Sequence, residues 1–472
     1  MMRHNFVLAI PLVFVVMSSN AALVSADATT QVTVFPQWTN EQLISIFADQ
    51  KPAVEAGGPL RTYREDWAAA RARISGNKTW SSWLQTRQSV VDEWISLQND
   101  KLEWIAGWAH NYVEPDGSTR KWLVTDPIKD DLSDAASKLR GGWVFYFRST
   151  NVDRALEAAQ LYKLTRNVKY AAWAKSQLFF YASSYELWPL QTWNGNARMM
   201  SQSLDEAVLA TKLVDVVRLL NGYLTAEDKA FIYKGLFSPM ATNLLASYQG
   251  VNNISLWHAV AITLIGWEFE NDGLVEQGLN GPSGVRKILS TGVTRELMWY
   301  EGSLSYQHYM IRAMLPLFAG AAIRSKESLI YREQLGLQNM LFSHAQFRFS
   351  NNVLPALGDV TSQLSASETS LSLESYRVLP SLNGYQLASS RYNWDTLLDP
   401  PSLPRPFSDL PVVVSKSTPE SQMGFLKVGP WQSYIRYGQS IVNHAHPDAG
   451  NFDLYWRSEE HTSELQSLSR IS

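Results

Sequence analysis

The 472 residues contain no cysteine, which excludes a disulfide framework, a thiolate metal site and a cysteine nucleophile. One-sided charge is missing too. Lys and Arg number 41 against 44 Asp and Glu, a formal net charge of −3, and no basic stretch is interleaved with aromatics, so nothing points to nucleic acid. Past the N-terminal region no apolar run is long enough to span a bilayer. What the chain does have is apolar and aromatic mass, 45% and 12% of its residues, including 18 Trp and 20 Tyr. That supplies a large core and suits either helical packing or stacking on sugar rings. The length favours two domains.

Both ends carry processing signals. Arg3 and His4 precede the apolar stretch Phe6–Met17, and Val24-Ser25-Ala26 offers the small residues a signal peptidase reads. Residues 1–26 are therefore read as a cleaved signal peptide, and the mature chain is expected to be secreted or periplasmic with no membrane span. At the other end, Arg457–Ser472 resembles a translated sequencing-library adapter, and the strand-like alternation of Asn451–Trp456 stops abruptly before it. Residues 457–472 are read as a non-native tail, so that the natural protein continues past Trp456.

Between these ends the hydrophobic period changes once. From about residue 40 to 345 the pattern is helical. Asp153–Leu164 and Lys169–Ser183 are amphipathic and meet at the turn Arg166-Asn167, as in an αα-hairpin. Ser203-Leu-Asp-Glu206 has capping-box spacing, opening a helix that runs to Asn221-Gly222, and Thr225-Ala-Glu-Asp228 starts the next in similar fashion. Paired helices over this length predict a helical toroid or solenoid. After Pro355–Asp359, the Ser-rich Thr361–Ser372 and the prolines of 400–406 mark a boundary. From Pro411 the period becomes two, in Val412–Ser415, Gly424–Val428, Ser433–Tyr437 and Phe452–Trp456. The organisation is thus a helical domain over 27–360, a linker over 361–410 and a truncated β domain over 411–456.

Three clusters carry chemistry. Asn252-Asn253-Ile-Ser-Leu-Trp-His258 opens an apolar helix, where two Asn also serve as a cap. Trp299-Tyr-Glu301-Gly-Ser-Leu-Ser-Tyr306-Gln-His308-Tyr309 breaks a helix with glycine and serine, leaving aromatics and a carboxylate on a bend; a plain aromatic helix–helix contact is the alternative. Asn443-His444-Ala-His446-Pro-Asp448 sets two histidines on one face of an extended segment, as in a metal or acid–base site.

In this order the clusters, with Pro355-Ala-Leu-Gly-Asp359, resemble the heparinase II/III-like polysaccharide lyases, whose relatives include alginate and oligoalginate lyases. The segments Asn280-Gly-Pro-Ser-Gly284 and Gln202-Ser-Leu-Asp-Glu-Ala207 fit the same picture, and the resemblance runs over roughly residues 60–456. It implies a mainly α fold, an incomplete (α/α) toroid followed by an antiparallel β-sandwich, with the active site in the cleft between. It also implies β-elimination on an acidic, uronate-containing polysaccharide or oligosaccharide. There Asn253 neutralises the substrate carboxylate, Tyr306 acts as base or acid, and His444 is the alternative base or a partner in neutralisation. His446 resembles a ligand of a structural zinc whose co-ligands would lie past Trp456. Gln202, His258, Glu301, His110 and Tyr112 fall on substrate-binding positions. One departure stands out: relatives often carry histidine directly after the active-site Asn, and here that residue is Ile254, with His258 one turn further on as a candidate substitute.

Two other functions fit the residues. A glycoside hydrolase on the same fold needs two carboxylates flanking the bond, for which Glu301 with Asp205 or Glu206 are the candidates. A glycan-binding protein needs only stacking aromatics. The sequons Asn77-Lys-Thr79 and Asn253-Ile-Ser255 are read as coincidence.

Overall fold

Short polar residues set the helix starts. In the computed structural model, which describes residues 63–97, 99–126, 134–247, 250–355, 358, 369–402, 413–438 and 449–456, Asp66 accepts from the Ala69 amide at the head of α1 (Trp67–Gly76). Asn77 does the same for α2 (Lys78–Ser96) and Asn167 for α4 (Val168–Ser184). Each satisfies an amide that has no partner within its helix. The preceding α3 (Asp134–Thr165) forms the expected hairpin with α4, turning through Arg166 at φ 63°. It starts well ahead of Asp153 because its earlier turns also bury Trp143, Val144 and Phe147.

The capping box expected at Ser203 does not form. No side chain caps α5 (Ser203–Leu219). Glu206 is fully buried and accepts from the amides of Arg198, Met199 and Met200 at 2.9–3.1 Å and from the Tyr185 hydroxyl. The bend before the helix has taken the carboxylate that the helix start was expected to use. The box expected at Thr225 does form, with Asp228, and opens α6 (Ala226–Ile232). A π-helical turn, Tyr233–Phe237, leads from it into α7 (Ser238–Leu245).

Helix α8 (Asn253–Glu268) is apolar on all sides, and such a helix is stable only when enclosed. It is buried from Asn253 to Trp267 with the exception of Ile254. Around it pack α5, α9 (Asp272–Asn280) and α11 (Leu304–Ile323), with α10 (Val285–Gly292) following α9. Helices α12 (Tyr331–Ser343), α13 (Thr369–Ser375), α14 (Leu382–Ser389) and α15 (Trp394–Leu398) complete the set. Contacts step along one row, α3 to α5 to α8 to α11 to α13, while α4, α9 and α14 each pair with a member of that row.

The row returns to its start. Arg73 in α1 donates to the Leu397 carbonyl at 2.9 Å, the Asp66 amide donates to Leu398 at 3.3 Å, and Trp83 meets Trp394 edge-on at 5.1 Å. Of the two arrangements that the paired helices predicted, toroid or solenoid, this is the toroid, as the resemblance also implied.

The C-terminal part is a four-stranded antiparallel sheet in the order β1 (Lys416–Thr418), β2 (Met423–Val428), β3 (Trp431–Arg436), β4 (Phe452–Trp456). Phe425 pairs with Tyr434, and Tyr434 with Asp453. Met423, Phe425 and Tyr434 bury against Met298, Leu304, Phe347 and Phe349 of the helical part. The first strand falls later than expected. Val413 and Val414 are outside it, and at Ser415 a side-chain oxygen accepting from the Lys427 amide at 2.8 Å replaces the ladder bond. No helix among the described residues is long and apolar enough to cross a membrane.

Candidate active site

The enclosure of α8 makes its first turn unusual, because Asn252 and Asn253 are buried amides at the head of an apolar helix. Asn252 is the cap, its oxygen accepting from the Ser255 amide at 2.9 Å. That leaves Asn253 with a different task. Its amide nitrogen reaches Glu301 at 3.5 Å, and the same carboxylate oxygen accepts from the Trp299 indole at 2.7 Å. Glu301 is completely buried and orients Asn253 while leaving a second N–H on that nitrogen. The N-terminus of α8 adds partial positive charge at the same place. Asn253 is 3% exposed, which leaves no room for the glycan its sequon would specify.

The expected bend is present. Trp299–Ser303 turns through Gly302 at φ 71°, and the Trp299 amide donates to Gln307 at 3.1 Å, tying the bend to the first turn of α11. That turn presents Tyr306, half-buried, and Tyr309 lies one turn on beside Trp257 of α8, ring centroids 5.9 Å apart. Burial pushes the Tyr309 hydroxyl pKa up, helped by the charges of Asp205 and Tyr306. Helix α8 packs on both α5 and α11, so the three helix heads are neighbours at this site. Asp205 itself is pushed up to about 6 by burial, with a bond from Gln202 opposing; the Gln202 amide donates to it at 2.8 Å. This raised pKa is a property no sequence spacing reveals.

The other expected residues divide. His258 is buried beside the backbone of Ser203, and burial lowers its pKa to about 4, so its ring is neutral. Ile254, where the resemblance leads one to expect histidine, is the half-buried residue of that turn. His110 is exposed on the turn Ala109–Asn111 and lies beside Trp108, ring centroids 4.7 Å apart and planes tilted by 55°. Tyr112 is buried and donates to Asp126. Burial and then that carboxylate push its pKa to about 12. Of the hydrolase carboxylates, Glu206 is held by three amides and a hydroxyl, and Glu301 by Trp299 and Asn253. Of the Asn280–Gly284 segment, Asn280, Gly281 and Pro282 line a cavity of about 380 Å³ together with Arg286 and Lys287.

His444, His446 and Asp448 lie outside the described residues, and with them the expected zinc ligand. Among the described residues no group of three or more His, Cys, Asp or Glu could hold a metal ion. Sequence reasoning missed one contact to the site. Arg436 of β3, 4% exposed, donates to the Gly302 carbonyl at 3.3 Å and so braces the bend from the sheet.

Residues 146–338, from α3 into α12, match the family model described as alginate lyase. Over this segment the chain is similar to alginate lyases. It is similar to an exo-oligoalginate lyase of Saccharophagus degradans, 29% identical over 200 residues that make up 40% of this chain and 27% of that one. It is also similar to an alginate lyase of Stenotrophomonas maltophilia, 28% identical over 199 residues, 39% and 26% of the two chains. The match thus spans about a quarter of each relative's length. Among solved structures, heparinase III aligns over 89% of this chain and 66% of its own, with TM-score 0.42 and 14% identity. Alginate lyase A1-III complexed with tetrasaccharide aligns over 56% and 72%, with TM-score 0.34 and 15% identity. All of the Asn253, Glu301 and Tyr306 cluster lies inside the family match.

Proposed function

We propose that this chain is a polysaccharide lyase that cleaves a uronate-containing polymer, alginate-like or glycosaminoglycan-like, by β-elimination, and that it does so after export. The observation that supports this most is the Asn253 amide, buried at the positive end of α8 and oriented by Glu301. Elimination removes the C5 proton of a uronate. The electron pair left behind forms the C4–C5 double bond, the C4–oxygen bond breaks, and the departing oxygen takes up a proton. Charge develops on the C6 carboxylate, and donors fixed in advance where charge develops lower the barrier. The second N–H of Asn253 and the head of α8 suit that role.

Tyr306, on the turn that the Trp299–Gln307 bond ties down, is the proposed proton carrier. A phenol with its ordinary pKa of about 10 protonates the leaving oxygen readily, and it takes the C5 proton only where a nearby cation lowers that pKa. His444 is the alternative base. Removing Asn253 as Asn253→Ala should cut kcat by roughly 100- to 1000-fold, as loss of one transition-state donor does elsewhere. Tyr306→Phe should abolish turnover while binding persists.

The test is incubation with alginate, heparan sulfate, hyaluronan and chondroitin, following ultraviolet absorbance of the new C4–C5 double bond. A rise with one polymer, lost in Tyr306→Phe, is the expected result. New reducing ends without absorbance would sink elimination in favour of hydrolysis. Saccharide binding without either signal would favour a glycan-binding protein.

A further inference from the structure

Two tryptophans near the head of α5 are displayed to solvent on loops that have little freedom to move. Trp193 is 58% exposed and Trp108 41% exposed, and their rings meet at 5.8 Å and 68°, forming a corner. Isolated exposed aromatics are common. What distinguishes this pair is how thoroughly the structure fixes its backbone.

The Trp193 loop is a closed hairpin. Gln191 and Ala197 exchange both backbone hydrogen bonds, at 2.8 and 3.0 Å. Gly195 turns it at φ 79°, so close to α5 that a Cβ there would stand 2.1 Å from Ser203 Oγ. The Trp108 loop is clamped to α3, where the Gly107 amide donates to Gly141 at 2.8 Å and a Cβ on Gly107 would come within 2.9 Å of Gly141 Cα. Two side chains then hold both loops at once. Gln191 donates to the carbonyls of Ala106 and Met200, at 3.0 and 3.3 Å. Arg148, fully buried and paired with Asp100 at 2.9 Å, donates to the carbonyls of Trp104 and Met199, each at 2.6 Å.

Rigid loops that expose indoles build a surface that a ligand meets without ordering cost. The corner also adjoins the site. Asn194, next to Trp193, donates to Gln202 at 2.6 Å, and Gln202 to Asp205 at 2.8 Å. A sugar ring offers an apolar C–H face for an indole and hydroxyls for amides. We infer that Trp108 and Trp193 form an outer saccharide subsite beside the site, on which stacks a ring of the polymer other than the two that flank the bond being cut. This rests on the uronate-polymer reading, and it adds that affinity rises with chain length through these two residues.

The test uses the full chain and alginate and chondroitin oligosaccharides of two and of six units. Binding is titrated by intrinsic tryptophan fluorescence and by calorimetry, with absorbance turnover of the parent polymers run in parallel. The six-unit chain should bind the wild type at least tenfold more tightly than the two-unit chain, the order expected for covering an indole face. Trp108→Ala/Trp193→Ala should erase most of that difference, while Trp193→Tyr keeps most of it. Circular dichroism and the thermal midpoint report whether the variants fold. If the double variant is folded and keeps the length dependence, the subsite is overturned. Turnover by the wild type with no gain from length overturns the subsite alone and leaves the elimination reading standing. Neither binding nor turnover of any polymer overturns both.

Discussion

At the residue scale, the buried imidazoles set the acid limit of this protein. His258 and His344 are held at pKa values of about 4 by burial. His308, whose Nε2 lies 3.2 Å from that of His344, is lowered further by burial and by that neighbour's charge. An unfolded chain binds these protons near pH 6.5, whereas the folded rings refuse them until about pH 4. The stability they confer is therefore fully present above pH 6.5 and is lost as pH falls through that window. The loss is on the order of 3 kcal/mol for His258, whose folded pKa is about 4. Thermal midpoints recorded from pH 7 to 4 should fall steeply, and the fall should be shallower in His258→Gln. A midpoint flat across that range would show that the rings are not neutral in the folded state. Gly302 makes a second residue-scale prediction. Its φ of 71° and the Arg436 guanidinium, 2.8 Å from where a Cβ would stand, should make Gly302→Ala cost roughly 1–3 kcal/mol, read as a lowered midpoint in chemical denaturation.

Among the elements, what the sequence made legible was what local chemistry decides. The α3–α4 hairpin, the Thr225 box, the Asn252 cap and the Trp299–Ser303 bend all follow from caps and turn residues. The Ser203 box fails because a spacing cannot show that Glu206 has four stronger claims on it from residues 185 and 198–200. The first strand slips for a similar reason, since Ser415 finds Lys427 only once the sheet exists. The site was legible as residue types near helix starts, but Asp205 at pKa about 6 and Arg436 behind the bend depend on burial and on distant chain. Lys416 belongs here as well. Burial, and then the charge of Arg348, lowers its pKa to about 7, while it donates to Gln346 and lies over the Phe347 ring at 4.5 Å. An apolar isostere escapes this desolvation, so Lys416→Met should match or exceed the wild type in thermal midpoint at pH 6. A drop of several degrees would mean that the Gln346 and Phe347 contacts outweigh it. The sheet's outer face carries Leu426, Val428, Trp431, Ile435, Phe452 and Leu454, all exposed.

For the whole molecule, the return of α15 to α1 has a consequence in time. The Arg64 amide and the Asp399 carboxylate that meet across the junction are 335 residues apart in the chain. Bringing such distant segments together costs closure entropy that nearby contacts have no need to offset, so the junction forms after the hairpins between have wound up. Contacts made that late are absent from the folding transition state. Weakening them accelerates unfolding and leaves refolding nearly untouched. Trp394→Ala, which removes the ring packed on Trp83 and Trp67, should steepen loss of the folded state in stopped-flow unfolding while the refolding limb stays in place. The aromatic clasp is then a latch on lifetime, setting how long a folded molecule stays closed to a protease.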